Sequence, residues 1–162
     1  MIAIKPHNFV DIVRAVGEGR TQNEPHPYGH ALHSVTAAIL ADLCVPLRIE
    51  LGADDICLPC CHNIDGLCDD TIDTSFRPLA PRSKREWNLR IDRRWCERLG
   101  LCPGDQLTVR VLCLLLRDRA GDLTDIYPEL PLQHIAERQS SLIKGLTRLL
   151  GDAAPSRPFA PG

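Results

Sequence analysis

Four cysteines, Cys57, Cys60, Cys61 and Cys68, fall within twelve residues of a 162-residue chain that holds eight in all. Cys57 and Cys60 have the C-x-x-C spacing that lets a tight turn aim two sulfurs the same way, and Gly66 eases the return that carries Cys68 back toward them. Whatever fold the chain adopts must close this loop on itself. Thiolates favour zinc, copper(I) and iron-sulfur clusters over hard cations, which narrows the expected guest to zinc or an iron-sulfur cluster. Adjacent cysteines rarely face one metal, and of Cys60 and Cys61 only Cys60 completes the spacing with Cys57.

At 18.0 kDa the chain is large enough to bury a core without disulfides, and residues 1–151 read as one domain. Residues 152–162, rich in Pro, Ala and Gly, read as a disordered tail. The opening Met1-Ile2-Ala3-Ile4-Lys5-Pro6-His7 lacks the basic and apolar regions of a secretory signal, so the reading is a cytoplasmic protein with reduced thiols. The most apolar run, Val109 to Leu116, contains Arg110 and is far too short to span a bilayer. A formal net charge of −2 and a pI near 6.3 give no global pull toward nucleic acid or anionic lipid. The basic stretch from Arg82 to Arg98 is interleaved with Glu86, Asp92 and Glu97, which predicts a solvated amphipathic helix rather than a nucleic-acid surface.

Hydrophobic spacing predicts a first helix from about Asn8 to Val16, carrying Phe9, Ile12, Val13 and Val16 inward. A second is expected from about Tyr28 to Leu43, stopped by Pro46. The alternation over Pro46–Leu51 predicts a short strand leading into the cysteine loop. Ser83 and Glu86 form a capping-box signature ahead of a third helix, with Trp87, Ile91, Trp95 and Leu99 as its buried stripe. Leu107–Arg117 fits helix or buried strand, and a last helix is expected from about Leu132 to Leu150, ended by Gly151. The expected fold is α+β, mainly helical and compact, with the cysteine loop at the surface between the second and third helices.

Zinc would ask for four protein ligands: Cys57, Cys60 and Cys68, plus His62 or the remote Cys96. The second short pair of a typical zinc module is missing, whereas clusters often gather three close cysteines and one distant partner. Cys96, beside Trp95, and Cys102, in a turn, each read as core or ligand, while Cys44 and Cys113 sit in apolar contexts as small hydrophobes. His26, His30 and His33 lie at i, i+4 and i+7, so they share one face if the second helix reaches back over Pro27, and His7 can join them from the first helix. His134 stands alone on the last helix.

The stretch Leu51-Gly52-Ala53-Asp54-Asp55-Ile56-Cys57 through Cys60 and Cys68, the opening Lys5-Pro6-His7, Asp92-Arg93-Arg94 and Leu99 to Asp105 together resemble the prokaryotic domain of unknown function 1284 family, over roughly residues 4 to 108. The resemblance implies iron-sulfur binding but no particular reaction. That family usually opens with two adjacent histidines and a cysteine three residues after the second; here Asn8 and Asp11 stand in those places. If that cysteine is a cluster ligand, Asp11 offers a carboxylate oxygen instead.

The leading expectation is an iron-sulfur protein with its cluster on Cys57, Cys60 and Cys68 and a fourth position filled by Asp11, Cys61, a histidine or Cys96. Two uses follow: electron transfer with a redox partner, or Lewis-acid chemistry on a small-molecule substrate with His7, His30 or His33 moving a proton. The alternatives are a zinc-stabilised interaction module and a redox thiol pair at Cys57 and Cys60.

Overall fold

The computed structural model describes residues 1–21 and 24–151. The expected tail at 152–162 lies outside the described residues. Among them the chain forms five helices and two small sheets, so the architecture is mixed α+β and mainly helical, as the periodicity predicts.

Strand β1 (Ile2–Ile4) runs directly into helix α1 (Pro6–Gly17), with Pro6 in the first turn, where its missing N–H costs nothing. Helix α1 buries Phe9, Ile12, Val13 and Val16, the stripe its spacing predicts. Strand β2 (Pro46–Ile49) alternates as expected, with Leu47 and Ile49 inward and Pro46 and Arg48 outward. It forms the centre of a three-stranded sheet, parallel to β1 (Ile2 opposite Leu47) and antiparallel to strand β5 (Gln106–Thr108; Leu47 opposite Leu107). Strand β1 was not expected from the sequence, because three residues are too few to display a period.

Helix α2 begins only at Leu32, four residues later than expected, and ends at Ala41, two residues earlier. Gly29 takes a left-handed φ of 71°, its N–H bonds the His26 carbonyl at 2.8 Å, and the Ala31 N–H goes to the Ile56 carbonyl at 2.9 Å. The segment is therefore spent on a turn and on tying down the cysteine loop. His26 and His30 consequently lie before the helix and only His33 lies on it, which corrects the expectation of three histidines on one helical face.

Helix α3 (Lys84–Leu99) buries Trp87, Ile91, Trp95 and Leu99 as expected, with Ser83 accepting from the Glu86 N–H and Gly100 closing the end in a left-handed conformation. Its arginines are largely structural. Arg94 makes a bidentate pair with Glu129 at 2.8 and 2.9 Å and reaches the Ile126 carbonyl at 3.0 Å, while Arg98 holds Asp125 and the Ala120 and Asp122 carbonyls. The ambiguous run resolves as both elements: β5 ends at Thr108, whose side chain caps helix α4 (Val109–Arg119). Helix α5 (Leu132–Leu150) buries Ile135, Leu142 and Leu146 but leaves Ile143 exposed.

The most extensive interhelical contact is between α1 and α5. It depends on two glycines: a Cβ on Gly17 would lie 1.9 Å from the Ser141 carbonyl oxygen, and one on Gly145 would lie 1.9 Å from that of Val13. Backbone meets backbone at both points, so no rotamer change relieves a methyl group. Gly145→Ala is expected to destabilise the fold by about 3 kcal/mol, lowering Tm by roughly 10 °C. Thermal unfolding followed by circular dichroism checks this, and an unchanged Tm would show that the helices do not approach so closely.

Candidate functional site around the cysteine loop

The N-terminus of α1 has no side-chain cap of its own. Its exposed donors are met by two carboxylates that are fully buried and arrive from distant parts of the chain, Asp54 and Asp92. Asp54 Oδ2 accepts from the Lys5 N–H at 2.9 Å and from Asn8 Nδ2 at 2.7 Å, and Oδ1 accepts from the Cys57 N–H at 3.0 Å. Asp55 Oδ2 accepts from the Ala3 N–H at 3.0 Å, and its own N–H returns to the Ala3 carbonyl at 3.1 Å. The Asp-Asp-Ile-Cys segment is thus a clasp that fastens the first cysteine of the loop to the β1–α1 junction.

From Cys57 the loop proceeds through bonds from the Cys60 N–H to the Cys57 carbonyl at 3.0 Å and from the Asn63 N–H to the Cys60 carbonyl at 2.9 Å. A hairpin of β3 (Asn63–Ile64) and β4 (Leu67–Cys68) then turns at Asp65 and Gly66, with φ of 52° and 82°. Two successive left-handed residues define the tight hairpin turn that an Asp-Gly pair favours. The register sets Cys68 opposite Asn63, so the return that Gly66 suggests in the sequence takes place.

Cys57, Cys60 and Cys68 all line one cavity of about 370 Å³. Cys61 is exposed and does not line it; its N–H bonds the Tyr28 carbonyl at 2.8 Å. Cys96 does not line it either. It is buried in α3, where burial, with Asp92, Cys102 and Asp105 near it, pushes its thiol pKa up to about 11. The cavity also collects His7, Asp11 and His30, but not His33. Asp11 is already engaged there, its Oδ1 accepting from Arg14 at 2.9 Å and Arg138 at 3.0 Å.

Two ammonium groups stand beside the thiols. Lys5, only 7 % exposed, places Nζ 3.1 Å from Cys57 Sγ. Burial works against its charge, but Asp54, Cys57 and Asp92 outweigh burial and hold its pKa above the ordinary value. Lys84 donates to Asp70 Oδ2 at 2.8 Å and is near enough to Cys68 and Cys60 for both to support its charge. Burial and the neighbouring Asp54 push the Cys57 thiol up to about 11, so in the metal-free chain it keeps its proton at neutral pH.

The donor set suits a soft metal group. Among the described residues, no three His, Cys, Asp or Glu side chains are drawn to a single point as one ion would need. Cys57, Cys60 and Cys68 share the lining of one cavity. Next to them, the buried His30 Nδ1 and Asn63 Oδ1 have no hydrogen-bond partner. His30 stacks on His26 at 4.4 Å, and burial, His26 and Lys84 lower its pKa, which keeps the imidazole neutral and able to donate a lone pair.

His7 lines the cavity and is tied to a buried carboxylate. Its Nδ1 lies 2.8 and 2.9 Å from the two Asp92 oxygens, and its N–H donates to Asp92 Oδ1 at 2.7 Å. A carboxylate on one ring nitrogen fixes the ring and leaves Nε2 as the nitrogen available to a guest. The sequence marks Asp92, Lys5 and Asp54 only as residues that carry the family resemblance; their part in the site is missed because nothing local marks their partners, and for Asp92 the available signal is its place beside Ile91 in the buried stripe.

Burial opposes charge on His7, yet Asp92, assisted by Asp11, outweighs it and raises the imidazole pKa. The pair's stabilisation is therefore complete below the unfolded pKa of about 6.5 and fades as pH rises through the higher folded value. Asp92→Asn keeps an acceptor for the His7 N–H but removes the charge, and is expected to lower the His7 pKa. NMR titration of the imidazole checks this; an unmoved pKa would show that Asp92 does not govern the ring.

No protein-family model matches the chain, and no curated protein or solved structure is found to be similar to it. The resemblance drawn from the Asp-Asp-Ile-Cys segment rests on the motif residues alone.

Proposed function

We propose that the chain is an iron-sulfur protein in which Cys57, Cys60 and Cys68 hold the cluster on the wall of the 370 Å³ cavity, in keeping with the family resemblance. The observation that carries this reading is the grouping of those three thiols on one cavity with Lys5 and Lys84 beside them. A thiolate-bound cluster is anionic, and ammonium groups next to the sulfurs offset that charge.

For the fourth position the neutral His30, with its unpartnered Nδ1, is a better candidate than Asp11, Cys61 or Cys96. Asp11 is shared between two guanidiniums, Cys61 lies outside the cavity, and Cys96 is in the core. When bound, the cluster would supply electron transfer or an open iron for a substrate oxygen or sulfur. The chain itself supplies the rest: a cavity that holds a small molecule, Lys5 and Lys84 to balance charge, and the His7–Asp92 pair to hold or release a proton at Nε2.

Protein purified without oxygen is expected to be brown and to release iron and acid-labile sulfide. Cys57→Ser, Cys60→Ser and Cys68→Ser should each lose most of the visible absorption, while Cys61→Ser and Cys96→Ser retain it. A colourless preparation carrying one zinc per chain would overturn the cluster in favour of a zinc-stabilised interaction module. Retention of the chromophore in Cys57→Ser would overturn the ligand set.

A further inference from the structure

A second cavity, of about 270 Å³, opens between α1, the loop before α3, Tyr127 and α5. Three arginines line it, Arg14, Arg77 and Arg138, against one acid, Glu137. Among the described residues the Arg77 guanidinium bonds no carboxylate: its one side-chain hydrogen bond runs from Nε to the Asp73 carbonyl at 2.7 Å. Its guanidinium lies instead 4.8 Å from the Phe76 ring centre and 5.2 Å from that of Trp87. Arg138 sits 4.5 Å over Tyr127, and its buried Nε has no partner at all. The one carboxylate that binds Arg138, Asp11, shares a single oxygen between it and Arg14.

Arg77 and Arg138 are also close enough to repel. Burial first, and then the charge of Arg138, lower the Arg77 pKa despite the help of Asp73. Two guanidiniums that share a half-enclosed space, with only Arg138 hydrogen-bonded to a carboxylate, leave directed N–H donors unused. The aromatic walls supply low-dielectric surroundings in which a charge-assisted bond is stronger than in water. A ligand that brings its own negative oxygens answers each of these features together.

We propose that this cleft is a binding site for a small oxyanion, a carboxylate or phosphate group, gripped by Arg77 and Arg138 between the aromatic walls. The site is separate from the cysteine cavity and does not depend on what that cavity holds. The contact of Phe76 with His134, at 5.3 Å between ring centres, extends the aromatic surface along the cleft, so a carboxylate carried on a flat ring gains additional contact over inorganic phosphate.

The test is an NMR titration of the full chain with inorganic phosphate, acetate and benzoate in parallel, following the arginine Nε–H and aromatic resonances. Saturable shifts at Arg77, Arg138 and Phe76 are expected with at least one anion. Tightest binding by benzoate identifies a ring-borne carboxylate, and tightest binding by phosphate identifies a phosphoryl group. Arg77→Gln should weaken binding roughly tenfold or more, the loss of one charge-assisted contact. Glu137→Gln removes the cleft's own carboxylate, leaves the aromatic walls intact and should tighten binding. Absence of saturable shifts with all three anions, or affinity unmoved by both substitutions, overturns the site.

Discussion

The carboxylate of Asp54 ties the cysteine loop, from which it comes, to the distant Lys5–Asn8 segment. One oxygen accepts from the Lys5 backbone and the Asn8 side chain, and the other accepts from the backbone of Cys57. A buried carboxylate without partners is among the most costly groups a fold can contain, so the three donors must all be present or the acid must leave the interior. Each charge-assisted bond contributes about 1.5–3 kcal/mol, and together they fix where β1 hands over to α1 and where the cysteine loop begins. The cavity inherits its geometry from this one junction, because Lys5 and His7 stand on one side of it and Cys57 on the other.

Asp92 repeats the device at the same helix end, and the repetition organises the charges around the cavity. The partial positive charge of the α1 N-terminus, Lys5 and a protonated His7 face the buried Asp54 and Asp92. Asp11, one turn further along α1, stands on the boundary between two spaces: it lines the cysteine cavity while its oxygen is held by Arg14 and Arg138, which line the arginine cleft. A carboxylate divided between two guanidiniums is a weaker donor than a free one, which counts against Asp11 as a ligand in the place of the family's cysteine.

The sequence disclosed what depends on local rules. The stripes of α1 and α3, the Ser83 cap, the alternation of Leu47 and Ile49 and the return at Asp65-Gly66 all follow from periodicity, capping or turn chemistry within a few residues. It also singled out Cys57, Cys60 and Cys68, and preferred Cys60 to Cys61, from spacing alone. What it could not disclose are long-range pairings: β1 with β2, His7 with Asp92, Lys5 with Cys57, Arg94 with Glu129. The histidine group failed for a related reason. A spacing of i, i+4 and i+7 means one face only if the backbone is helical throughout, and Gly29, followed by the long-range bond from Ala31 to Ile56, diverts the chain before Leu32.

The protonation states around Cys57 bear on how the proposed guest would be taken up. In the metal-free chain the thiol titrates at about 11 while Lys5 beside it stays charged, so the resting state is a neutral thiol next to an ammonium. Binding a soft metal requires the thiolate, so uptake releases a proton and its affinity rises with pH until the free thiol itself ionises. Asp54 opposes the thiolate and Lys5 supports it, and the two act in opposite senses on the sulfur. The metal therefore has to outbid a proton held by burial, a condition met by iron and zinc at thiolate sites but not by the hard cations that oxygen donors prefer. In the proposed reading, the clasp that positions Cys57 would thus also keep its sulfur protonated until a metal displaces the proton.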